Sequence, residues 1–334
     1  MITVIPDLHI GLVWDGCDRT PDVFDFLEQA KEYVSNRDVV FLGDVFNDPN
    51  VSHKHIARFI EVLHEYKAAG AKELYILRGN HDGEVSLKRG SPLQEVAATG
   101  ICSVIWEPTL VDKFLFLPYT IDPIPELDVP PDTIAFSHLD IENAIAGLEK
   151  DIGRGLDSFL PEWVSKKCLQ VFGGHIHHRQ RHGNIELVGA AIRVKTSEST
   201  EISGILQVSP DGSFKRVVLS SRCLMGYKLT FGNEECRTVL KSLLDNDIST
   251  AIVSMHVTCP HTEAHKFDFI KYEDTIRKKC HYLRFVLDVV KEKELRIKEL
   301  DDTKSDIEIA KLYIGKQSIS DEKEVLECVN ETME

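Results

Sequence analysis

The chain has 334 residues, 43% of them hydrophobic, and carries a formal net charge of −15. That length and apolar content fit one large domain plus a small one. The charge excludes a protein that binds nucleic acid through a broad basic surface of its own. No apolar stretch approaches the length of a membrane span. The eight cysteines are scattered without CxxC spacing, which excludes a thiolate zinc framework. Met1 runs almost directly into the first apolar segment, so the expectation is no secretory signal, reduced thiols and a cytoplasmic protein.

Ile2-Thr3-Val4-Ile5 reads as a buried strand and is followed by Asp7-Leu8-His9. An amphipathic helix is expected over 21–36, then the strand Val39-Val40-Phe41-Leu42 ending in Gly43-Asp44. A second helix is expected over 52–69, with Ser52 as N-cap and Gly70 just past its end. Leu74-Tyr75-Ile76-Leu77 is the next strand and ends in Gly79-Asn80-His81-Asp82. Strands are expected over 109–117 and 133–136, separated by a proline-rich loop from Pro118 to Pro131, and the second ends in Ser137-His138. A long, partly helical connection over 139–167 contains Gly153 and Gly155 and leads to Leu169-Gln170-Val171-Phe172, then Gly173-Gly174-His175-Ile176-His177. Further strands are read at Ile185–Val188, Gly204–Val208 and Phe214–Leu219, the last two joined by Pro210-Asp211-Gly212. The βαβ alternation implies an α/β core of two sheets with flanking helices.

The character changes near residue 222. Tyr227–Phe231, a helix near 233–244, Thr250–His256, a helix near 268–280 and Tyr282–Val290 form a second α/β unit. The expected division is thus 1–221, 222–290 and a tail over 291–334, with a charged linker over 291–303 and two short amphipathic helices near 304–315 and 320–332.

The chemistry lies in what ends the strands. Residues i and i+2 of an extended segment point the same way, so Asp7 with His9, and His175 with His177, each present a pair of donors. Imidazole and carboxylate together suit borderline and hard divalent ions. A lone aspartate after a strand is usually a turn or cap residue, and a lone histidine is usually a satisfied buried one. Five donor-bearing segments at strand ends, the place where open α/β sheets put their sites, are a metal centre.

The ordered set Asp-x-His, Gly-Asp, Gly-Asn-His-Asp, His, Gly-His-x-His resembles the calcineurin-like metallophosphoesterase superfamily. Asp7-Leu8-His9-Ile10-Gly11 and Gly43-Asp44-Val45-Phe46 are similar to segments of the SbcD-type nuclease subunits of DNA double-strand-break repair and their phage relatives. The superfamily's protein phosphatases carry Asp-Arg-Gly after the bridging aspartate's strand and Gly-Asn-His-Glu later. The resemblance covers roughly residues 1–220. It implies a two-sheet metallophosphoesterase sandwich flanked by helices, with a small α/β capping domain and a helical C-terminal tail.

The resemblance also implies roles. Asp7, His9, Asp44 and His177 would hold one ion; Asp44, Asn80, His138 and His175 would hold the other, with Asp44 bridging. His81 would be the catalytic acid and Asp82 would orient its ring. Asn47 stands where several members have a histidine, so its amide would contact substrate without adding charge. His178, Arg179 and Arg181 follow the last ligand segment and are the expected phosphate contacts; Lys54, Arg58 and Lys88-Arg89 are further basic positions. Two divalent ions are expected, Mn²⁺ first and Mg²⁺ second, since mixed oxygen and imidazole donors suit Mn²⁺ or Fe²⁺.

The implied activity is exonuclease action on duplex DNA ends and endonuclease action on single strands, in recombination, replication or repair. The implied setting is a homodimer with a coiled-coil ABC-type ATPase partner of the SbcC type, in the host cytoplasm if the gene is a phage's. The tail helices would dock on that partner. The rival readings are a phosphatase or small-molecule phosphodiesterase on the same fold, and a non-catalytic scaffold, which would show gaps in the ligand set.

Overall fold

The computed structural model describes residues 1–83, 90–142, 144, 159–195, 202–261 and 269–290. The expected linker and tail over 291–334, and Gly153 and Gly155, lie outside the described residues.

In chain order the strands are β1 (Ile2–Ile5), β2 (Val13–Trp14), β3 (Cys17–Asp18), β4 (Asp38–Phe41), β5 (Leu74–Leu77), β6 (Ser103–Ile105), β7 (Thr109–Val111), β8 (Phe114–Leu117) and β9 (Ile134–Ser137). They continue with β10 (Gln170–Gly173), β11 (Gln180–His182), β12 (Ile185–Leu187), β13 (Gly204–Val208), β14 (Phe214–Val218), β15 (Leu224–Thr230), β16 (Ile252–Pro260) and β17 (Tyr282–Val290). The helices are α1 (Thr20–Ala30), α2 (His53–Ala68), α3 (Leu93–Ala98), α4 (Glu162–Lys167), α5 (Glu234–Asp245) and α6 (Phe269–Lys279).

Two six-stranded sheets form the main body, ordered β14-β13-β1-β4-β5-β6 and β11-β12-β10-β9-β8-β7. In the first, β1, β4, β5 and β6 are parallel and β13 runs antiparallel to β1. In the second, β8, β9, β10 and β12 are parallel. The continuous apolar runs of the sequence are strands covered on both faces. Ile2, Val4, Val40, Leu77, Phe116, Phe136 and Phe172 fill the space between the sheets. The alternate residues Ile5, Val39, Phe41, Leu74 and Ile76 pack outward against Val23, Phe26, Phe59, Leu63 and Tyr66 of α1 and α2. Leu115, Leu117, Ala135 and Val171 cover the far face of the second sheet with Val164 of α4. Phe116, Phe136 and Phe172 stack across three neighbouring strands at centroid spacings of 5.6 and 5.9 Å.

The helix expected over 52–69 is α2; Ser52 accepts from the Lys54 N–H at 3.3 Å, and Gly70 sits past its end at φ +93°. Two elements differ from expectation. The helix expected over 21–36 stops at Ala30 and continues as one 3-10 turn over Lys31–Tyr33. The single strand expected over 109–117 is a hairpin, β7-β8, turned at Asp112 with φ +53°.

The third sheet, β15-β16-β17, is wholly parallel, with α5 and α6 as crossovers and its own core of Leu240, Leu243, Val253, Met255 and Ile276. It meets the main body at the β2-β3 hairpin, where Trp14 and Cys17 pack on Leu224, Ile252 and Tyr282. Ser254 and Arg284 both engage the Asp15 carboxylate. Among the described residues no helix is long and apolar enough to cross a membrane, and the seven described cysteines are free thiols.

Candidate metal centre

The loops after β1, β4, β5, β9 and β10 converge at the carboxyl ends of the parallel strands of both sheets. They bring together all seven expected ligands. Asp44 Oδ2 lies 3.8 Å from His9 Nε2 and 3.3 Å from His138 Nε2. On the first side, His9 Nε2 is 3.0 Å from His177 Nε2, which is 3.7 Å from Asp7 Oδ2. On the second side, Asn80 Oδ1 is 3.1 Å from His138 Nε2 and 3.0 Å from His175 Nδ1. Asp7, His9 and His177, and separately Asp44, His138 and His175, are groupings able to hold an ion.

The donor set fits divalent ions. Donors at right angles about 2.1 Å from a common ion stand about 3 Å apart, which is the spacing found on the second side. Asp7 Oδ1 is buried without a hydrogen-bond partner, an expensive arrangement for a carboxylate with no cation nearby. His138 donates its Nδ1–H to Leu42 O at 2.8 Å. Its Nε2 therefore faces two oxygen acceptors, an arrangement that calls for a proton or a metal ion at that position. Electrostatics agree. Burial pushes the Asp7 carboxyl up to about 6 against the pull of His138. Burial opposes ionisation of Asp44 too, but His138 and the other imidazoles hold it well below the ordinary range. Burial also works against a charge on His138, yet Asp44 and Asp7 keep its pKa at about 10. The pocket favours positive charge at this point, and a divalent ion held by these donors would supply it.

Backbone geometry is bent to this purpose. His9, Asp44 and His175 sit at φ +53°, +46° and +71°, where non-glycine residues are uncommon and strained. Neighbouring glycines let the ligands approach. A Cβ on Gly79 would stand 2.0 Å from Asp44 Oδ1, one on Gly174 2.4 Å from Asp7 Oδ1, and one on Gly43 2.4 Å from His138 Nδ1.

His81 stands beside this cluster. Its backbone N–H donates to Asp44 Oδ1 at 2.9 Å, its ring centroid is 4.9 Å from that of His9, and it forms a third possible ion-holding group with His9 and Asp44. Its Nδ1–H donates to the backbone carbonyl of Asn47 at 2.9 Å. Asp82, expected to orient that ring, is engaged elsewhere: its two oxygens accept from the Phe46 and Gly79 N–H groups, each at 2.9 Å. Burial, with Asp44 adding to it, pushes Asp82 up to about 7. Asp82 therefore ties the Asp44 loop to the Asn80 loop, and the Asn47 carbonyl takes the orienting role.

The expected phosphate contacts divide. The Arg179 guanidinium is 3.6 Å from Glu186 and that of Arg181 lies 6.0 Å from the Phe214 ring. Arg181 lines a surface hollow with Leu169 and Gln170, at the start of β10, whereas the ligands follow its end. Gln180 donates to the His178 carbonyl at 3.1 Å. Arg58 is paired with Glu61 and Glu65 along α2, and Lys88-Arg89 lies outside the described residues. The reading of the sequence did not single out Asp140, whose Oδ1 is 3.2 Å from His175 Nε2. No spacing rule signals it, because the contact spans two strands.

A calcineurin-like phosphoesterase family model matches residues 1–179, more than half of the 334-residue chain. The chain belongs to that family and is a metal-dependent phosphoester hydrolase. Comparison with curated proteins finds no match.

Proposed function

We propose that this chain is a DNA nuclease subunit of the SbcD type, working with Mn²⁺, or with Mg²⁺ in its place, and with a coiled-coil ABC-type ATPase of the SbcC type. The observation that carries the reading is the loop after Asp44. The superfamily's protein phosphatases place Asp-Arg-Gly after this strand. Here Val45 and Phe46 turn into the core, Phe46 against Phe59 at 5.7 Å, and Ile10 bridges to Phe46. The two segments that resemble the nucleases are therefore built as one unit behind the ligands, and the loop brings no arginine to a phosphate there. The third sheet, larger than a minimal phosphodiesterase needs, supports the same reading.

Bound divalent ions supply charge stabilisation on the phosphoryl oxygens and make water acidic enough to attack near neutral pH. Asp7, His9, Asp44 and His177 would hold one, and Asp44, Asn80, His138 and His175 the other. His81 keeps its Nδ1–H on the Asn47 carbonyl, so when protonated it releases its mobile proton from Nε2 to the departing sugar oxygen. Asp82 holds the two loops in register while this happens.

The net charge of −15 makes a strong free-standing grip on DNA a poor expectation, which favours a partner that supplies affinity. The test is digestion of end-labelled linear duplex DNA and of p-nitrophenyl phosphate esters, with Mn²⁺ or Mg²⁺, with and without the co-purified ATPase. Shortening of the duplex from its ends is expected. Rapid turnover of the phosphomonoester with intact DNA under every condition would replace this reading with that of a phosphatase.

A further inference from the structure

We propose that Asp140 is a positioning residue of the metal centre: it takes the Nε2–H of His175 and so turns that ring's Nδ1 lone pair onto the ion shared with Asp44, Asn80 and His138. The ring is bracketed. Nδ1 is 3.0 Å from Asn80 Oδ1, and Nε2 is 3.2 Å from Asp140 Oδ1. An imidazole that binds an ion through one nitrogen is fixed in tautomer and angle by what the other nitrogen donates to.

The neighbouring imidazole uses the opposite pair of atoms. His138 gives Nδ1–H to Leu42 O and points Nε2 at Asp44 and Asn80. The two rings on one side of the centre must therefore be held in opposite tautomers, each by an oxygen acceptor placed at a different ring nitrogen. His175 needs a brace more. Its side chain is 20% exposed where that of His138 is 0%, and its backbone sits at φ +71°. Asp140 is itself anchored: its carbonyl accepts from the Leu160 N–H at 2.8 Å, and it bridges to Phe159. It follows His138 by two residues, so one loop delivers both a ligand and the brace for the ligand beside it. The carboxylate also places negative charge behind the ring, which makes Nδ1 a better donor to a cation.

The inference rests on the family's metal centre and not on DNA as substrate. It is tested on the full chain by Mn²⁺ titration calorimetry of the parent, Asp140→Ala and Asp140→Asn, and by ¹⁵N NMR of the histidine rings with Mg²⁺ or Zn²⁺. Asp140→Ala should weaken one of two ions by about 10–100-fold and leave the other within about threefold. Asp140→Asn, whose side-chain oxygen can accept the same N–H, should recover most of the loss. In the parent, His175 should carry its hydrogen on Nε2. Parent affinity for both ions in Asp140→Ala, or a His175 hydrogen on Nδ1, would overturn the role. If Asp140→Ala does not fold, the tautomer in the parent and the titration of Asp140→Asn decide. A parent that binds no ion removes the centre and this role with it, whereas normal parent binding with an unchanged variant removes the role of Asp140 alone.

Discussion

The two sides of the metal centre share Asp44 and differ in how their imidazoles are held. On the His138–His175 side each ring is braced from behind, by the Leu42 carbonyl and by Asp140. On the His9–His177 side two Nε2 atoms face each other at 3.0 Å, and His9 Nδ1 is buried without a partner. The rings of His138 and His175 each have an oxygen acceptor behind the ligating nitrogen before any ion arrives, whereas the far nitrogen of His9 has none. Preorganised donors bind more tightly because less ordering remains to be done.

The harshest way to break this comparison is to remove what the sides share. Asp44→Ala takes away an oxygen that serves His9 and His138 and another that holds the His81 backbone. Both ions should be lost in calorimetry and hydrolysis should fall below detection, whereas His9→Ala should weaken one ion only. Two full-affinity ions in Asp44→Ala would sink the shared role. In the parent, stepwise titration should resolve two events, the braced side filling first by about tenfold, within the range a second coordination layer contributes. A single affinity for both ions would mean that the acceptors behind His138 and His175 do not set the two sides apart.

His81 belongs to neither side in the proposed reading. His81→Ala should leave both binding events in place and lower cleavage by about 10²–10⁴-fold, with part of the loss recovered on a substrate that has a better leaving group. The loss of one ion in this variant would instead make His81 a ligand, which its grouping with His9 and Asp44 permits. An unchanged rate would rule it out as the acid.

The strands of the two main sheets, apart from the short β6 and β11, are legible in the sequence. Buried parallel strands such as Val39-Val40-Phe41 and Ile134-Ala135-Phe136 must be apolar on both faces, and their ends carry the donors. The donors are legible because carboxylates and imidazoles recur at those ends, although it is the left-handed backbone at His9 and His175, and not an extended pleat, that aims them. What is not legible depends on contacts between segments distant in sequence. Asp140 acquires meaning only when β9 and β10 pair and bring His175 beside it. The engagement of Asp82 follows from the Asp44 and Asn80 loops meeting, which sequence neighbourhood with His81 misrepresents. Arg181 follows the ligand loop in sequence, but β11 runs antiparallel to β12 and carries it toward the other end of the sheet.

Glycine substitutions separate the two sides more gently. Gly43→Ala puts a methyl group 2.4 Å from His138 Nδ1 at a backbone φ of +110°, and Gly174→Ala puts one 2.4 Å from Asp7 Oδ1. Each should lower stability by about 1–3 kcal/mol, read in thermal melts without metal. Gly43→Ala should mainly weaken the tighter ion and Gly174→Ala the weaker one. Equal damage to both ions from both variants would mean that the sides are one unit.

The smallest effect asks whether the His9 side borrows order from the third sheet, since the β2-β3 hairpin that holds this sheet follows His9 directly in the chain. Asp15 is the hinge of that contact: its carbonyl accepts from Tyr282 Oη at 2.8 Å, and its carboxylate accepts from Ser254 Oγ at 2.9 Å and pairs with Arg284. It sits at φ +50°, a conformation that asparagine tolerates, so Asp15→Asn removes the charge while keeping the turn. Arg284 and Asp15 are 47% and 27% exposed, so water and salt weaken the pair. The loss should be about 0.5–1 kcal/mol at low ionic strength and should shrink as salt is added. The apolar contact of Trp14 and Cys17 with Leu224, Ile252 and Tyr282 does not depend on the charge and should keep the sheet in place. Both ion affinities should stay within about twofold of the parent, because neither Asp15 nor its partners Tyr282, Ser254 and Arg284 is among the ligands or their braces. A selective loss of the weaker ion in Asp15→Asn would show instead that the third sheet steadies the His9 loop through the hairpin, and the contrast between the two sides would have to be redrawn with the third sheet as a brace for that loop.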